Sequence, residues 1–106
     1  MINIVFFSDS DILTGFFAVG HSDHSEEGTD IVCAAVSSAA YMTANTVTEI
    51  LRLSPRLSVE DGNMLLRFKS MSDADRAADI MNGFRLHIEE LQKQYPEFIN
   101  VTITEV

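Results

Sequence analysis

The chain alternates between five short segments rich in β-branched and aromatic residues and two long segments with helical periodicity. The short segments are typical of strands, and each long one carries an apolar stripe at helical spacing. The predicted order is therefore ββαββαβ. The economical arrangement is an α+β two-layer sandwich, a five-stranded sheet with two helices on one face. The last segment alternates strictly, so it is expected to be half-buried. The predicted strands are Ile2–Phe7, Ile12–Val19, Leu57–Glu60, Met64–Lys69 and Ile99–Val106.

Local signals mark the ends and irregularities of these elements. The first helix is predicted over Ile31–Leu53 and carries so few charges that we expect it to be covered on more than one side. The second helix follows Ser72–Asp75, which resembles a capping box, and it ends before Pro96. Gly15, inside the second strand, indicates a bulge or the close approach of another backbone. Asp61–Asn63 predicts a tight turn between the third and fourth strands.

Length and composition fit one soluble domain over residues 1–106, with 46% hydrophobic and 22% charged residues. The net charge of −9, from 16 acidic and 7 basic residues, argues against direct binding to nucleic acid and allows a basic partner. The same acidity also serves solubility. A single cysteine excludes an internal disulfide and fits a reducing compartment. Neither a leader peptide nor an apolar stretch of about 20 residues is evident, so we expect a cytoplasmic protein without a membrane span.

The stretch 20–37 brings the one cysteine to the start of the first helix. A polar segment ends at Gly28, and Asp30 or Thr29 is then a good N-cap. With Asp30 as the cap, Cys33 is the third helical residue, where the partial positive charge of the helix N-terminus favours the thiolate. His21, on the preceding loop, would stabilise that thiolate as a nucleophile. The alternative is that Cys33 is a small packing residue.

A zinc site is the competing interpretation of the same stretch. The ligand spacing matches no compact zinc pattern, so neither a metal nor another cofactor is predicted. The side chains considered as zinc ligands are His21, His24 and Cys33, with Asp23, Glu26 or Asp30.

The stretch also resembles the ribosomal-processing cysteine proteases of bacteria. The resemblance rests on Gly20–His24, Gly28, Asp30–Ala34 and Ser37, and in length and element order it extends over the whole chain. It implies that Cys33 and His21 are catalytic. Ser37 lies four residues after Cys33 and so on the same helix face, where it hydrogen-bonds near the site or back to its own helix. The resemblance gives supporting roles to Gly20, Asp30 and Ser37. Asp23, His24 and Gly28 are further candidates for the loop or the substrate path.

This resemblance implies an endopeptidase that removes a short N-terminal extension from a large-subunit ribosomal protein, number twenty-seven in its series. It also implies a homodimer, which agrees with the under-charged first helix, and a basic substrate, which agrees with the net charge. The alternative, from another functional class, is a non-catalytic ribosome-assembly or binding module with a structural Cys33. Replacing Cys33 with serine separates the two, because only the protease would lose its function.

Overall fold

The five predicted strands pair into one sheet. The computed structural model describes residues 1–20 and 29–106, and the side chains of all of these except residues 29 and 30. The strands are β1 (Ile2–Asp9), β2 (Ile12–Val19), β3 (Arg56–Glu60), β4 (Asn63–Arg67) and β5 (Ile99–Glu105). Their order across the sheet is β3-β4-β2-β1-β5. Three of the four pairs are antiparallel, and β5 runs parallel to β1. The α+β prediction is confirmed.

The first helix changes its hydrogen-bonding pattern before it ends. It runs as α1 over Thr29–Asn45 and continues as a π-helical segment over Thr46–Ile50, whereas the sequence predicted one helix over Ile31–Leu53. The hydroxyls of Thr43, Thr46 and Thr48 donate to the carbonyls four residues earlier, at 2.8, 2.8 and 3.1 Å. Such back-bonding competes with the regular helical ladder, which accounts for the irregular end.

The second predicted helix is divided into two. The parts are α2 (Met71–Arg76) and α3 (Ala78–Gln94), and the residue between them, Ala77, has φ −95° and ψ 8°. The predicted cap at Ser72 is wrong, because Ser70 accepts the backbone N–H of residue 73 at 3.1 Å. Ser70 has the extended backbone that an N-cap requires, with φ −151° and ψ 158°.

The core lies between one face of the sheet and the two long helices. Alternate strand residues are buried, as the period of two requires. The rings of Phe6, Phe16 and Phe84 join β1 and β2 to α3, with centroids 4.8 to 6.3 Å apart. The two contacts of Phe84 are edge-to-face, and contacts of this kind add about 0.5–1.5 kcal/mol each beyond area burial. The helix residues buried in the same cluster include Val32, Val36, Ala40, Ala44 and Val47 from α1 and its extension, and Met81, Phe84, Ile88 and Leu91 from α3.

The edge strand β5 is more exposed than predicted. Ile99 is buried and Val101 is half-buried, but every later residue of the strand is exposed. β5 is hydrogen-bonded on one side only, to β1, so its outer end lies beyond the cover of the helices. The strict alternation of the sequence therefore predicted the strand correctly but not its burial.

Two glycines explain local features of the sheet. The register of β1 and β2 shifts between Phe7 and Ser8, beside Gly15, so the predicted bulge is confirmed. A Cβ on Gly15 would overlap the carbonyl oxygen of Leu66 on β4, so the predicted close approach is confirmed too. In the predicted turn, Gly62 has φ +78°, a conformation that glycine adopts without strain.

The stretch Ile31–Ile50 meets the length and composition criteria for a membrane span, whereas no apolar stretch of about 20 residues was expected from the sequence. Within its 18-residue window 44% of the residues are buried inside the domain. The buried side is the core face of α1, and a central helix covered on several sides passes the same test. The low charge of this helix is thus explained, at least on its inner side, by packing.

Candidate active site

Cys33 lies at the start of α1 with its side chain turned inward. The helix begins at Thr29, so Cys33 is its fifth residue, and the prediction that Asp30 caps the helix and makes Cys33 the third is corrected. The residue is 7% exposed and packs in the core cluster. The first four N–H groups of an α-helix have no partner inside it. Cys33 therefore follows directly after the four residues whose unpaired N–H groups give the start of the helix its partial positive charge.

The sulfur contacts the end of β2. The Cys33 thiol donates a weak hydrogen bond to the carbonyl oxygen of Gly20, with Sγ and O 3.9 Å apart. Gly20 is the residue after the last one of β2, and the polar segment predicted to carry the histidine begins immediately beyond it. The buried cysteine therefore contacts Gly20, the residue from which that segment starts, as well as the core.

Three constraints fix the backbone of Gly20. Its N–H donates to the carbonyl of Gly62 in the β3–β4 turn at 2.8 Å. Its φ of +87° lies in the region that favours glycine. A Cβ at this position would lie 2.9 Å from the carbonyl oxygen of Met1. The prediction of a supporting glycine here has a physical basis, because no other residue takes this conformation beside Met1 without strain.

Ser37 is half-buried and lies one helical turn beyond Cys33 on the same side of α1.

The remaining predicted residues fall on the part of the chain that the structure does not describe. His21, Asp23, His24 and Gly28 lie outside the described residues, as does the side chain of Asp30. The catalytic pairing of the histidine with the cysteine therefore stays a prediction. Among residues 1–20 and 29–106 no group of three or more His, Cys, Asp or Glu side chains could hold a metal ion.

Two surface features were not anticipated from the sequence. A groove of about 550 Å³ separates α1 from α3 and is lined by apolar residues such as Met42 and Phe84, with His87 among its walls. Met42 is nine residues, or two and a half turns, beyond Cys33, so the groove opens on the opposite side of α1. A second pocket, of about 310 Å³, is lined by Arg56, Arg67, Phe68 and Lys69. The hairpin turn was the signal that would have found it, because a two-residue turn at 61–62 makes residues 56 and 67 cross-strand partners.

Known proteins resemble this chain over most of its length. A family model described as "Cysteine protease Prp" matches residues 1–100. The chain is 28% identical over 99 residues to the ribosomal processing cysteine protease Prp of Bacillus subtilis (strain 168), covering 89% of this chain and 88% of that protein. It is 25% identical over 95 residues to the protein of the same name from Staphylococcus aureus (strain Mu50 / ATCC 700699), covering 89% and 90%.

Solved structures share the fold over nearly the full length. The SMU.848 protein of Streptococcus mutans matches with a TM-score of 0.86 and 27% identity, covering 100% of this chain and 96% of that one. A ribosomal processing protease Prp from S. aureus, crystallised with a substrate peptide, matches with a TM-score of 0.89 and 23% identity, covering 98% and 100%. At that identity the second likeness supports the fold.

Proposed function

We propose, since the chain belongs to the cysteine protease Prp family, that it is an endopeptidase that removes the N-terminal extension of a large-subunit ribosomal protein. As a member of this family it is a cysteine peptidase. The relatives from S. aureus and B. subtilis carry the name ribosomal processing protease. The finer proposal is that this chain acts on the same class of substrate in the cytoplasm, where the thiol stays reduced.

The observation that carries the proposal is the contact between the Cys33 thiol and the Gly20 carbonyl, 3.9 Å apart. The next residue in the chain is His21. Because consecutive Cα atoms across a trans peptide are about 3.8 Å apart, this histidine is tethered to the residue that touches the sulfur. Covalent connectivity thus supports a pairing of the imidazole with the thiol, which is the arrangement that activates a cysteine nucleophile.

The proposed reaction follows from these two side chains. The Cys33 thiolate attacks the carbonyl carbon of the scissile peptide bond, and backbone N–H groups at the start of α1 stabilise the oxyanion. The C–N bond breaks as His21 gives its proton to the leaving amine, which leaves an acyl-enzyme thioester. Water, deprotonated by the same imidazole, then hydrolyses the thioester. Asp30 and Ser37 are proposed to support the pair, and Asp23, His24 and Gly28 to serve the loop or the substrate path.

The charge of the chain supports a basic substrate. A net charge of −9 attracts a positively charged extension and steers its approach. It argues equally against direct contact with nucleic acid, so the proposed partner is the ribosomal protein precursor rather than RNA.

The test is cleavage of the extended ribosomal protein, followed by mass analysis of the fragments. The wild-type chain is expected to release one N-terminal fragment. Both Cys33→Ser and His21→Ala should abolish cleavage, because each removes one partner of the dyad. Ser37→Ala is expected to fold and to cleave more slowly. A Cys33→Ser variant that cleaves at the wild-type rate would refute the proposal.

We also propose that the protein is a homodimer and that α1 contributes to the interface. Residues 31–48 contain no Asp, Glu, Lys or Arg. Nevertheless Ile31, Tyr41 and Met42 on this helix are 70%, 44% and 53% exposed. Exposed apolar side chains on a helical stretch without charged residues are typical of an interaction surface. Sedimentation velocity should find a dimer that Tyr41→Glu weakens, whereas Leu86→Glu, 62% exposed on α3, should leave it intact. If both variants dimerise as the parent does, α1 is not the interface.

A further inference from the structure

We propose that Arg56, Arg67 and Lys69 form a binding site for an oxyanion, a phosphate or carboxylate group, at the end of the sheet remote from Cys33. These residues and Phe68 line a pocket of about 310 Å³. They are three of only seven Lys and Arg residues in a chain of net charge −9. Almost half of the basic side chains of this acidic chain therefore line one pocket.

The two arginines are direct cross-strand partners. Arg56 on β3 pairs with Arg67 on β4, so their side chains leave the same face of the sheet. The Cβ atoms of such pairs are about 4.5–5.5 Å apart, and like charges in this position destabilise a sheet. A neighbouring carboxylate would relieve this repulsion. Within the described part of the chain, however, the Lys and Arg ion pairs both lie within α3. No ion pair within the described residues therefore offsets the repulsion between the two arginines, and a bound anion would offset it.

The half-buried Arg67 is held in place without using its hydrogen-bond donors. Its Cζ lies 4.6 Å from the centroid of the Phe7 ring, on the neighbouring part of the sheet. Stacking on an aromatic face fixes the plane of a guanidinium and leaves its N–H groups at the edge available. Neither arginine nor Lys69 donates a side-chain hydrogen bond to another residue in the described ranges. The side-chain donors therefore have no partner among the described residues.

The position and charge of the pocket separate it from the catalytic site. Arg67 pairs with Gly15 on β2, and Gly20 beside the Cys33 thiol lies five residues further along. At about 3.3 Å per strand residue this places the two sites on the order of 17 Å apart. A basic substrate extension would be repelled here. Paired guanidinium groups instead match the geometry of phosphate and carboxylate oxygens, which they bind through two N–H groups at once.

Calorimetric titration of the full chain with inorganic phosphate, at constant ionic strength, tests this site. The parent should bind phosphate saturably, and Arg56→Gln and Arg67→Gln should each weaken that binding at least about tenfold, because a charge-assisted double hydrogen bond is lost. Lys93→Gln is the matched control, since it removes one positive charge from an exposed position on α3. It should change the affinity by less than about twofold.

Two further arms complete the experiment. Arg56 is exposed, so Arg56→Gln is expected to fold even if the loss of ring stacking unfolds Arg67→Gln. Acetate in place of phosphate distinguishes a carboxylate ligand from a phosphate ligand. All variants should retain peptide cleavage, so the result is independent of the proposed function. Equal phosphate affinity for the parent and Arg56→Gln, or no saturable binding of either anion by the parent, overturns the proposal.

Discussion

Replacing Gly20 by alanine should destabilise the fold and disturb the thiol at the same time. A Cβ at this position would lie 2.9 Å from the carbonyl oxygen of Met1. That oxygen has little freedom to retreat, because the next residue, Ile2, donates its N–H to Phe98 at 2.7 Å. The backbone of residue 20 must therefore move, and its carbonyl, which accepts the Cys33 thiol, moves with it.

The cost has two parts. An L-residue held at φ +87° loses about 1–2 kcal/mol relative to glycine. Forcing an extra carbon into a filled space costs about 1–3 kcal/mol more. The sum, about 2–5 kcal/mol, is a large share of the roughly 5–15 kcal/mol by which a domain is stable. Gly83 is the matched control, because it is exposed in α3 and a Cβ there would meet no atom within 4 Å apart from its chain neighbours and the nearby backbone of its own helix. Gly83→Ala should stabilise the chain by about 0.5–1 kcal/mol.

Urea denaturation of both variants measures these changes, and the rate of alkylation of Cys33 by iodoacetamide reports on the thiol. Gly20→Ala should lower the free energy of unfolding and change the alkylation rate under conditions where the variant is still folded. Gly83→Ala should raise the free energy of unfolding and leave the rate unchanged. If Gly20→Ala is as stable as the parent, the positive φ and the contact with Met1 do not constrain this position, and the explanation given for the glycine is wrong.

Three further substitutions or measurements test other features. Ser70→Ala should cost about 1 kcal/mol through the lost cap, whereas Ser72→Ala, inside α2, should be neutral or slightly stabilising in thermal melts; the reverse order would restore the cap predicted from the sequence. Phe84→Ala removes a ring that contacts two others and should cost about 3–5 kcal/mol in urea denaturation, against less than about 0.5 kcal/mol for the exposed Leu86→Ala. Cys33 should react with iodoacetamide at mildly acidic pH, as expected of a thiolate, whereas a merely packed thiol would hardly react.

Hydrophobic period and turn chemistry were enough to predict most of the fold. The β-branched and aromatic residues of β1 and β2 and the turn at Gly62 predicted these strands, and the structure pairs them as hairpins. What the sequence did not predict depends on contacts between distant segments. The exposure of β5 follows from its place at the edge of the sheet. The order of strands in a sheet cannot be predicted from the sequence of a single strand. Similarly, the sequence pattern predicted the cap at Ser72, whereas the extended backbone that identifies Ser70 as the N-cap is visible only in the structure.

The candidate site divides in the same way. That a cysteine follows a polar segment at the start of a helix is visible in the sequence, and the structure places Cys33 there. The contact between its sulfur and Gly20 depends on how β2 lies against α1, which no local pattern encodes. The arginine pair could have been found from the register of the hairpin. Its significance depends on the described residues placing no carboxylate in an ion pair with it, which only the packed structure shows.

The hydrogen bond between Gly20 and Gly62 links the β3–β4 turn to the thiol, and this coupling can be tested directly. Gly62 has φ +78° and its carbonyl accepts the Gly20 N–H at 2.8 Å. Gly62→Ala should cost about 1–2 kcal/mol, close to the cost of Ser70→Ala at a site with no link to Gly20. If the turn positions the Gly20 carbonyl, only Gly62→Ala changes the alkylation rate of folded Cys33. Equal rates in the two variants would mean that the turn contributes stability alone, and that the thiol is positioned by α1 without help from the hairpin.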